Sequence, residues 1–499
     1  MPHGSAALHR NPRMSFADDA RRLAPLAWPV FVGQLAVLGF ATIDTVLVAR
    51  FSALDLAALA VGNAAYVSVF VGLMGVVLAV GPIAGKQFGA GRLAESGQQF
   101  GQAVWLALAL SLLGCAMLLF PQPFLAVARA EPDVAGKVRA YLCALAFALP
   151  PALLFTAFRG FNTAVSRPKV VMVLQLGGLA LKVPLSALLV YGLAVSTPLG
   201  ELRVPSLGVA GCGVATAIVM WGQWLAAQAL MRRDTFYLPF GLNRRWLGRP
   251  QAAALRTLLK LGLPMGLSIA LEITGFTFMA LFISRLGATP VAGHQIAVNL
   301  VSLMFMMPLS LGNAACTLVA QRLGANDLRD ARRLSWHSVE LGIAIATLVG
   351  ASAYLMRESL LRAYTHDAAI IAAALPLLAW MTLFHITDAA QILAAFILRA
   401  YHLTVAPMLI YAASLWGVGL GGGFALAFNT TGLTPPALLG APGFWAACTT
   451  GIALAALALC GLLGWVLSTK RREERQEKRR LRLPEEPPQP GRLRPTTSG

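Results

Sequence analysis

Apolar residues run in stretches of about 20 along almost the whole chain, separated by short polar or charged connections. That is the length a helix needs to cross ~30 Å of hydrocarbon. The alternating segments of ~10 residues that mark a membrane barrel do not appear. The pattern predicts twelve spans, at about residues 23–49, 57–82, 101–120, 138–158, 170–193, 209–231, 262–284, 290–318, 337–356, 370–398, 404–428 and 443–468. The expected fold class is all-α: a polytopic membrane protein with twelve transmembrane helices in two pseudo-symmetric six-helix bundles.

The longest polar connection, RRDTFYLPFGLNRRWLGRPQ, lies between spans six and seven. The sequences on its two sides are related. One fixed offset lays Pro29 on Pro264, Thr42 on Thr277, Arg50 on Arg285, Ala57 on Ala292, Phe70 on Phe305 and Gly89-Ala90 on Gly324-Ala325. Further on, FRGFN (158–162) resembles LRAYH (398–402), and both follow equivalent spans. A parallel repeat of six helices gives two bundles around an axis along the membrane normal, with a cleft between them that suits alternating access. The expected divisions are an N-terminal extension at 1–22, bundles at 23–231 and 262–468, a linker at 232–261 and a basic tail at 469–499. Prolines within the spans (Pro29, Pro82, Pro151, Pro184, Pro264, Pro308 and Pro376) are the expected points of helix bending.

Composition agrees with the pattern and removes the soluble classes. Apolar residues make up 57% and charged residues 12%, about half the charged fraction of a soluble domain. A net charge of +19 raises the question of nucleic acid. The distribution of that charge answers it. An even number of spans puts both termini on one side, and that side carries most of the 40 Lys and Arg. The other side holds only Arg50, Arg129, Lys137, Arg139, Arg203, Arg285, Arg357 and Arg362. The positive-inside rule then places both termini in the cytoplasm of an integral inner-membrane protein whose macroscopic partner is lipid, with no nucleic acid. Six cysteines stand singly in apolar runs and read as packing residues. No cleavable signal is expected, and Met14 is an alternative start to Met1. The segment from Lys470 continues the last helix or lies on headgroups, and PEEPPQPGRLRPTTSG after it is expected to be disordered.

Few charges fall well inside a span: Asp44, Glu272 and Asp388 among the acids, and Lys182 as the buried base. Ionisable groups in a bilayer are functional candidates. Helical spacing gathers polar groups in the second half. His385, Asp388 and Gln391 follow one another by three, Ser268 and Glu272 are four apart, and Gln295, Asn299 and Ser302 run along span eight. Two carboxylates in such a pocket repel, and one proton or one small cation between them removes the repulsion. His385 is either a fixed hydrogen-bond partner of Asp388 or a participant in proton transfer. In the first half Lys182 and Ser186 share a face of span five. If that face meets span one, Lys182 neutralises Asp44, and coupling then rests chiefly on Glu272 and Asp388 with the first-bundle pair as a latch or gate. No serine-nucleophile motif, HExxH or paired-aspartate signature accompanies His385 or His294. The expectation is no enzyme, no catalytic residues and no cofactor.

A series of segments carries a family resemblance: LAWPVFVGQLAVLGFATIDTVLVAR, GPIAGKQFGAGR, FRGFNTAVSRPK, GVAGCGVATAIV, LEITGFTFMALFISRLGATPVAGHQIAVN and HITDAAQILAAFILRAY. Together, over about residues 20–468, they resemble the MATE multidrug and toxic compound extrusion transporters, with the NorM-like branch most similar. The resemblance implies a secondary active transporter that exports cationic or amphipathic drugs (dyes, fluoroquinolone-like compounds) by antiport with H⁺ or Na⁺, and a monomer is expected. It implies Asp44 as a first-bundle site and Glu272 with Asp388 as the second-bundle cation site. Two positions depart from the pattern. Phe384 stands where these proteins often have a tyrosine, and Lys182 with Ser186 stand where span five usually supplies asparagines. Both changes remove oxygen ligands and favour protons over Na⁺. The alternative is a lipid-linked precursor flippase of the same wider superfamily, for which a cationic cleft is expected.

Overall fold

The computed structural model describes residues 15–128, 131–197, 200–243, 247–430 and 432–480. The alternative start at Met14 and the expected disorder of 484–499 lie outside the described residues. Among those described, twelve helical segments are long and apolar enough to cross a membrane. They are α1 (Phe16–Phe51), α2 with α3 (Ala53–Val77, Val80–Gly89), α4 (Leu93–Leu119), α6 (Pro132–Ala164), α7 (Pro168–Tyr191), α8 (Val209–Arg233), α9 (Ala252–Ser284), α10 (Ala288–Gly324), α11 (Leu328–Leu355), α13 (Ala368–Ala400), α14 with α15 (Val405–Ala412, Gly422–Ala427) and α16 (Ala441–Arg480). Short helices α5 (Gln122–Ala128) and α12 (Arg357–Tyr364) lie in connections. A hairpin of β1 (Leu193–Thr197) and β2 (Gly200–Val204) adds to the helical spans between α7 and α8.

Local chemistry explains the boundaries. The Ser15 hydroxyl accepts from the Asp18 N–H at 3.3 Å, and the Asp18 carboxylate accepts from the Ser15 N–H at 2.8 Å, a reciprocal cap that starts α1. Residues 15–22 of the expected extension are therefore the first turns of this helix. Ser52 ends α1 and also caps α2 by accepting from the Asp55 N–H at 3.3 Å. The second span is interrupted at Leu78–Ala79. Pro82 has no N–H to offer the Leu78 carbonyl, which accepts instead from Gly81 at 3.0 Å. Pro29, Pro184, Pro264, Pro308 and Pro376 sit within unbroken helices. The eleventh span widens into a π-helical run at Ala413–Gly421, where glycines recur.

One apolar core fills the first half around Phe100, Phe158 and Phe161, and a second lies in the second half around Phe384, Phe444 and Trp445. A third joins Leu23, Leu26 and Ala27 of α1 to Ala314, Leu334, Leu393 and Leu463 of the second half. This bridging core lies on the side of the molecule that holds the two ends of the described chain. The halves touch there backbone to backbone. A Cβ on Gly89 would overlap the Gln321 carbonyl, and one on Gly324 would overlap that of Lys86. The ion pairs follow the same side. Asp19, fully buried, binds Arg333 Nε at 3.0 Å and His337 Nδ1 at 2.7 Å, both on α11. Arg22 and Arg322 each reach Asp330 at 3.0 Å, and Arg333 also pairs with it.

The connection between α8 and α9 is anchored at Asp234, Tyr237 and Gly248. Asp234 binds Arg167 at 2.6 Å, the Tyr237 hydroxyl donates to Asn162 Oδ1 at 2.6 Å, and Trp105 Nε1 donates to the Gly248 carbonyl at 2.8 Å. Its last part is helix, since α9 begins at Ala252.

Candidate functional site

Between the halves lies a cavity of ≈ 750 Å³, walled by α1, α2, α3, α6 and α7 on one side and by α9, α10, α13, α14 and α16 on the other. Glu272 from α9 and Asp388 from α13 both line it. Asp388 is buried, and neither carboxylate has an ion-pair partner among the described residues. Gln391 lies one turn beyond Asp388 on the same helix. Its Oε1 is buried without a hydrogen-bond donor among the described residues, and its side chain lines the cavity. Ser268, Gln295 and Ser302 add to the polar part of the wall, as do Gln34, Gln175 and Asn313. The apolar part includes Phe276, Phe305, Phe384 and Tyr411. Phe384 offers no oxygen and packs edge-on against Phe276 and Trp445, with ring centres 5.9 and 6.0 Å apart.

Three expected members stand elsewhere or act differently. His385 is buried, does not line the cavity and makes no hydrogen bond among the described residues, so the His385–Asp388 bond is not formed. Three residues advance a helix by about 300°, and the missing ~60° turns the imidazole away from the carboxylate's face. Asn299 is exposed and outside the cavity wall, reached only by Gln295 Nε2 at 3.4 Å. Asp44 belongs to a separate site.

That site closes on itself. Lys182 Nζ lies 2.9 Å from Asp44 Oδ2, and the Ser186 hydroxyl donates to Asp44 Oδ1 at 3.2 Å. Lys182 also donates to Thr216 Oγ1 at 2.7 Å, and Thr216 in turn donates to the Cys212 carbonyl at 2.8 Å. The lysine is 0% exposed. The face of α7 that carries Lys182 and Ser186 thus meets α1, as the four-residue spacing anticipated.

Sequence reasoning missed the two basic residues of the cavity, Arg159 and Arg399. Each follows the apolar run that the sequence predicts as a span, 138–158 and 370–398, but α6 runs on to Ala164 and α13 to Ala400, and both side chains line the cavity. Lys182 is therefore not the only base within the spans. The cavity holds two carboxylates and two guanidiniums. The signal was available: the two arginines hold the same place in FRGFN and LRAYH.

Among the described residues no group of three or more His, Cys, Asp or Glu side chains could hold a metal ion. Glu272, Asp388 and Gln391 all line the cavity, and their carboxylate and amide oxygens are the ligand type that hard cations take.

Comparison with known proteins places this architecture. The MatE family model matches residues 29–188 and again residues 264–424. The chain belongs to the MatE family. The two matches begin at Pro29 and Pro264, the prolines that the internal repeat superposes. This MatE chain is 39% identical over 458 residues to the "Probable multidrug resistance protein NorM" of Aromatoleum aromaticum, covering 91% of this chain and 95% of that protein. It is 33% identical to the multidrug resistance protein PmpM of Pseudomonas aeruginosa, over 91% of this chain and 93% of the relative. Its fold is that of the eukaryotic MATE transporter AtDTX14, with a TM-score of 0.79, 18% identity, and coverage of 93% of this chain and 99% of the other. MatE proteins and these relatives are transporters, so no catalytic role is left for His294 or His385. His294 instead accepts a hydrogen bond from Trp445 Nε1 at 3.2 Å.

Proposed function

We propose that this MatE protein is a secondary active multidrug efflux transporter that exports organic cations by antiport with H⁺ or Na⁺. The observation that carries the reading is the contrast between the two acidic sites. Asp44 is ion-paired with Lys182, whereas Glu272 and Asp388 face the cavity with no ion-pair partner among the described residues. Two like charges in a poorly solvated wall need a proton, a small cation or a cationic substrate. Binding of the ion and of the drug is therefore mutually exclusive, which is the requirement for exchange. The names of the relatives support drug efflux, and the positive-inside distribution supports a cytoplasmic terminal side. The bridging core, the glycine contacts and the ion pairs then close the cytoplasmic face, while Thr277 and Gln295, both exposed, lie at the cavity's other end. In this reading the bundles 23–231 and 262–468 rock against each other across the cavity, and one chain suffices because one chain encloses the site.

Ethidium transport in proteoliposomes, with Na⁺ and pH gradients imposed separately, tests the proposal. Glu272→Gln and Asp388→Asn should each abolish ion-driven export. Full activity in both variants would refute the site assignment. The flippase reading finds support in the two cavity arginines, but a cleft for anionic lipid-sugars has no use for two carboxylates on its wall.

A further inference from the structure

Three apolar runs of the second half start or stop at one level on the terminal side. That of α11 opens beyond Arg333, that of α13 closes before Tyr401, and that of α16 closes before Lys470. Such a level is where hydrocarbon gives way to headgroups. The first turns of α11 divide their bases between two tasks. Arg333 pairs with Asp19 and Asp330 and belongs to the lock. Arg332 lies on the side toward α16, and among the described residues it has no ion-pair or hydrogen-bond partner.

A small pocket opens on that side, lined by Leu328 and Arg332 of α11, Tyr401 at the end of α13, and Leu467, Lys470 and Arg471 of α16. The Tyr401 hydroxyl faces Arg332. Helical spacing extends the two walls into the bilayer. Arg332 and Trp336 are four residues apart on α11, and Gly464, Leu467 and Arg471 run i, i+3 and i+7 on α16. The walls meet at Trp336, whose ring would lie 3.6 Å from a Cβ on Gly464. One turn deeper, a Cβ on Gly461 would meet open space. Trp465, next to Gly464 in the chain, is 65% exposed, as an aromatic residue at the membrane interface is. Acids do not cancel the charge of the pocket. Asp330 is taken up by Arg22, Arg322 and Arg333, and Asp327 caps α11 by accepting from the Asp330 N–H at 3.0 Å. Glu340 lies eight residues beyond Arg332, about 12 Å deeper along the helix. The half-exposed Lys470 pairs with Glu473 at 2.8 Å, whereas Arg471, like Arg332, has no partner among the described residues.

We propose that this pocket binds an anionic phospholipid, with its phosphate between Arg332 and Arg471 and its acyl chains along the seam of α11 and α16 beneath Trp336. The planar fork of arginine offers paired N–H donors to phosphate oxygens, and such charge-assisted bonds are the strong ones. Lys470 adds a point charge and the Tyr401 hydroxyl a further donor. Charge that only orients the chain needs to lie on the correct side of the bilayer. It has no need to converge from two helices on one pocket with an apolar seam below it. That seam, floored by Trp336, Gly464 and Leu467, is what favours a lipid over a free phosphate. The site lies outside the cavity between the halves and is independent of the compound transported there.

The test is native mass spectrometry of the delipidated full chain in detergent, titrated with dioleoylphosphatidylglycerol and, separately, with dioleoylphosphatidylcholine. The two lipids share their chains and differ in net charge. For the first lipid bound, the wild type should prefer phosphatidylglycerol about tenfold. Arg332→Gln and Arg471→Gln should each bring that ratio toward one, and Arg332→Lys should keep an intermediate ratio. Arg256→Gln, at an exposed base on the same side of the molecule, should leave the ratio unchanged. An equal loss in the Arg256 variant would reduce the effect to general surface attraction and overturn the site. A wild-type ratio of one overturns it without recourse to any variant. Millimolar inorganic phosphate should not displace the bound phosphatidylglycerol, and displacement would assign the pocket to a free phosphate and overturn the lipid.

Discussion

The Asp44–Lys182 pair makes a quantitative claim that a double-mutant cycle can examine. Two unit charges 2.9 Å apart attract by about 6 kcal/mol at an effective dielectric near 20, and desolvation of both groups offsets much of that. Removing one partner is different, because the other stays buried and unpaired at a typical cost of about 3–5 kcal/mol. Lys182→Met keeps the volume of the stem and removes only the charge. It should destabilise the protein by about that amount, and Asp44→Asn alone should cost a similar amount because it strands a lysine that is 0% exposed. The double variant Asp44→Asn/Lys182→Met leaves no buried charge and should recover most of the loss. Equilibrium unfolding in mixed micelles measures each corner of the cycle. The expected coupling is at least about 2 kcal/mol, far above the few tenths expected of independent sites. Additive losses would refute the reasoning, since they would mean that neither charge relies on the other.

The remaining predictions concern other parts of the molecule. Asp19→Asn removes the carboxylate that holds Arg333 and His337, so the terminal side should loosen. In a protein whose only cysteine is the cavity residue Cys316, labelling by an impermeant maleimide from that side should quicken several-fold, and unchanged labelling would count against the lock. Phe384→Tyr places a hydroxyl one turn before Asp388, so Na⁺ should stimulate export by this variant more than by the parent, and an equal response would remove Phe384 as a determinant of ion choice. The anchorage of the α8–α9 connection should be indifferent to pH in the physiological range. The Phe236 N–H, and then the Arg167 guanidinium, hold the Asp234 carboxyl below its ordinary value of 3.8. A lowered carboxyl contributes fully above its unfolded value and loses that contribution only as pH falls through the folded one, below about pH 4. Amide exchange in the connection, corrected for intrinsic rates, should therefore give the same protection at pH 5 and pH 8, and a fall at pH 5 would refute the assignment.

Much of this was legible in the sequence because the bilayer forces it. Twenty apolar residues in a row have few alternatives to a spanning helix, and a buried lysine has few alternatives to a buried acid. The spacing of Lys182 and Ser186 was enough to find the first site. What failed was the inference from the end of an apolar run to the end of a helix. Arg159 and Arg399 close their apolar runs and were read as loop charges, but each helix continues past its arginine and turns it inward. Asp19 and Arg22 failed in the same way at the other end, since they precede the first apolar run but lie inside α1. His385 failed on angle: three residues bring side chains to neighbouring faces, and packing decides whether they meet.

The two halves began from one repeat and now treat buried charge in opposite ways. In the first half every oxygen of the buried acid has a donor, so a cation must displace Lys182 to enter. In the second half two acids and the Gln391 oxygen face the cavity without hydrogen-bond donors among the described residues. On the proposed function, ion exchange belongs to the second bundle, which leaves the first a different task. That task follows from α1, which carries Asp19 in the lock, Gln34 against the cavity arginine Arg159, and Asp44 in the pair with α7. Twenty-five residues separate the outermost two, about 38 Å of helix. Pro25 and Pro29 lie between the lock and the other two contacts, each leaving one carbonyl of the helix without its N–H partner. A helix pinned at Asp44 and at Asp19, and weakened only between them, yields at those prolines when the halves move. The Asp44–Lys182 pair thus fixes the upper part of α1 to the first bundle, so that opening of the lock is concentrated in the turns around Pro25 and Pro29.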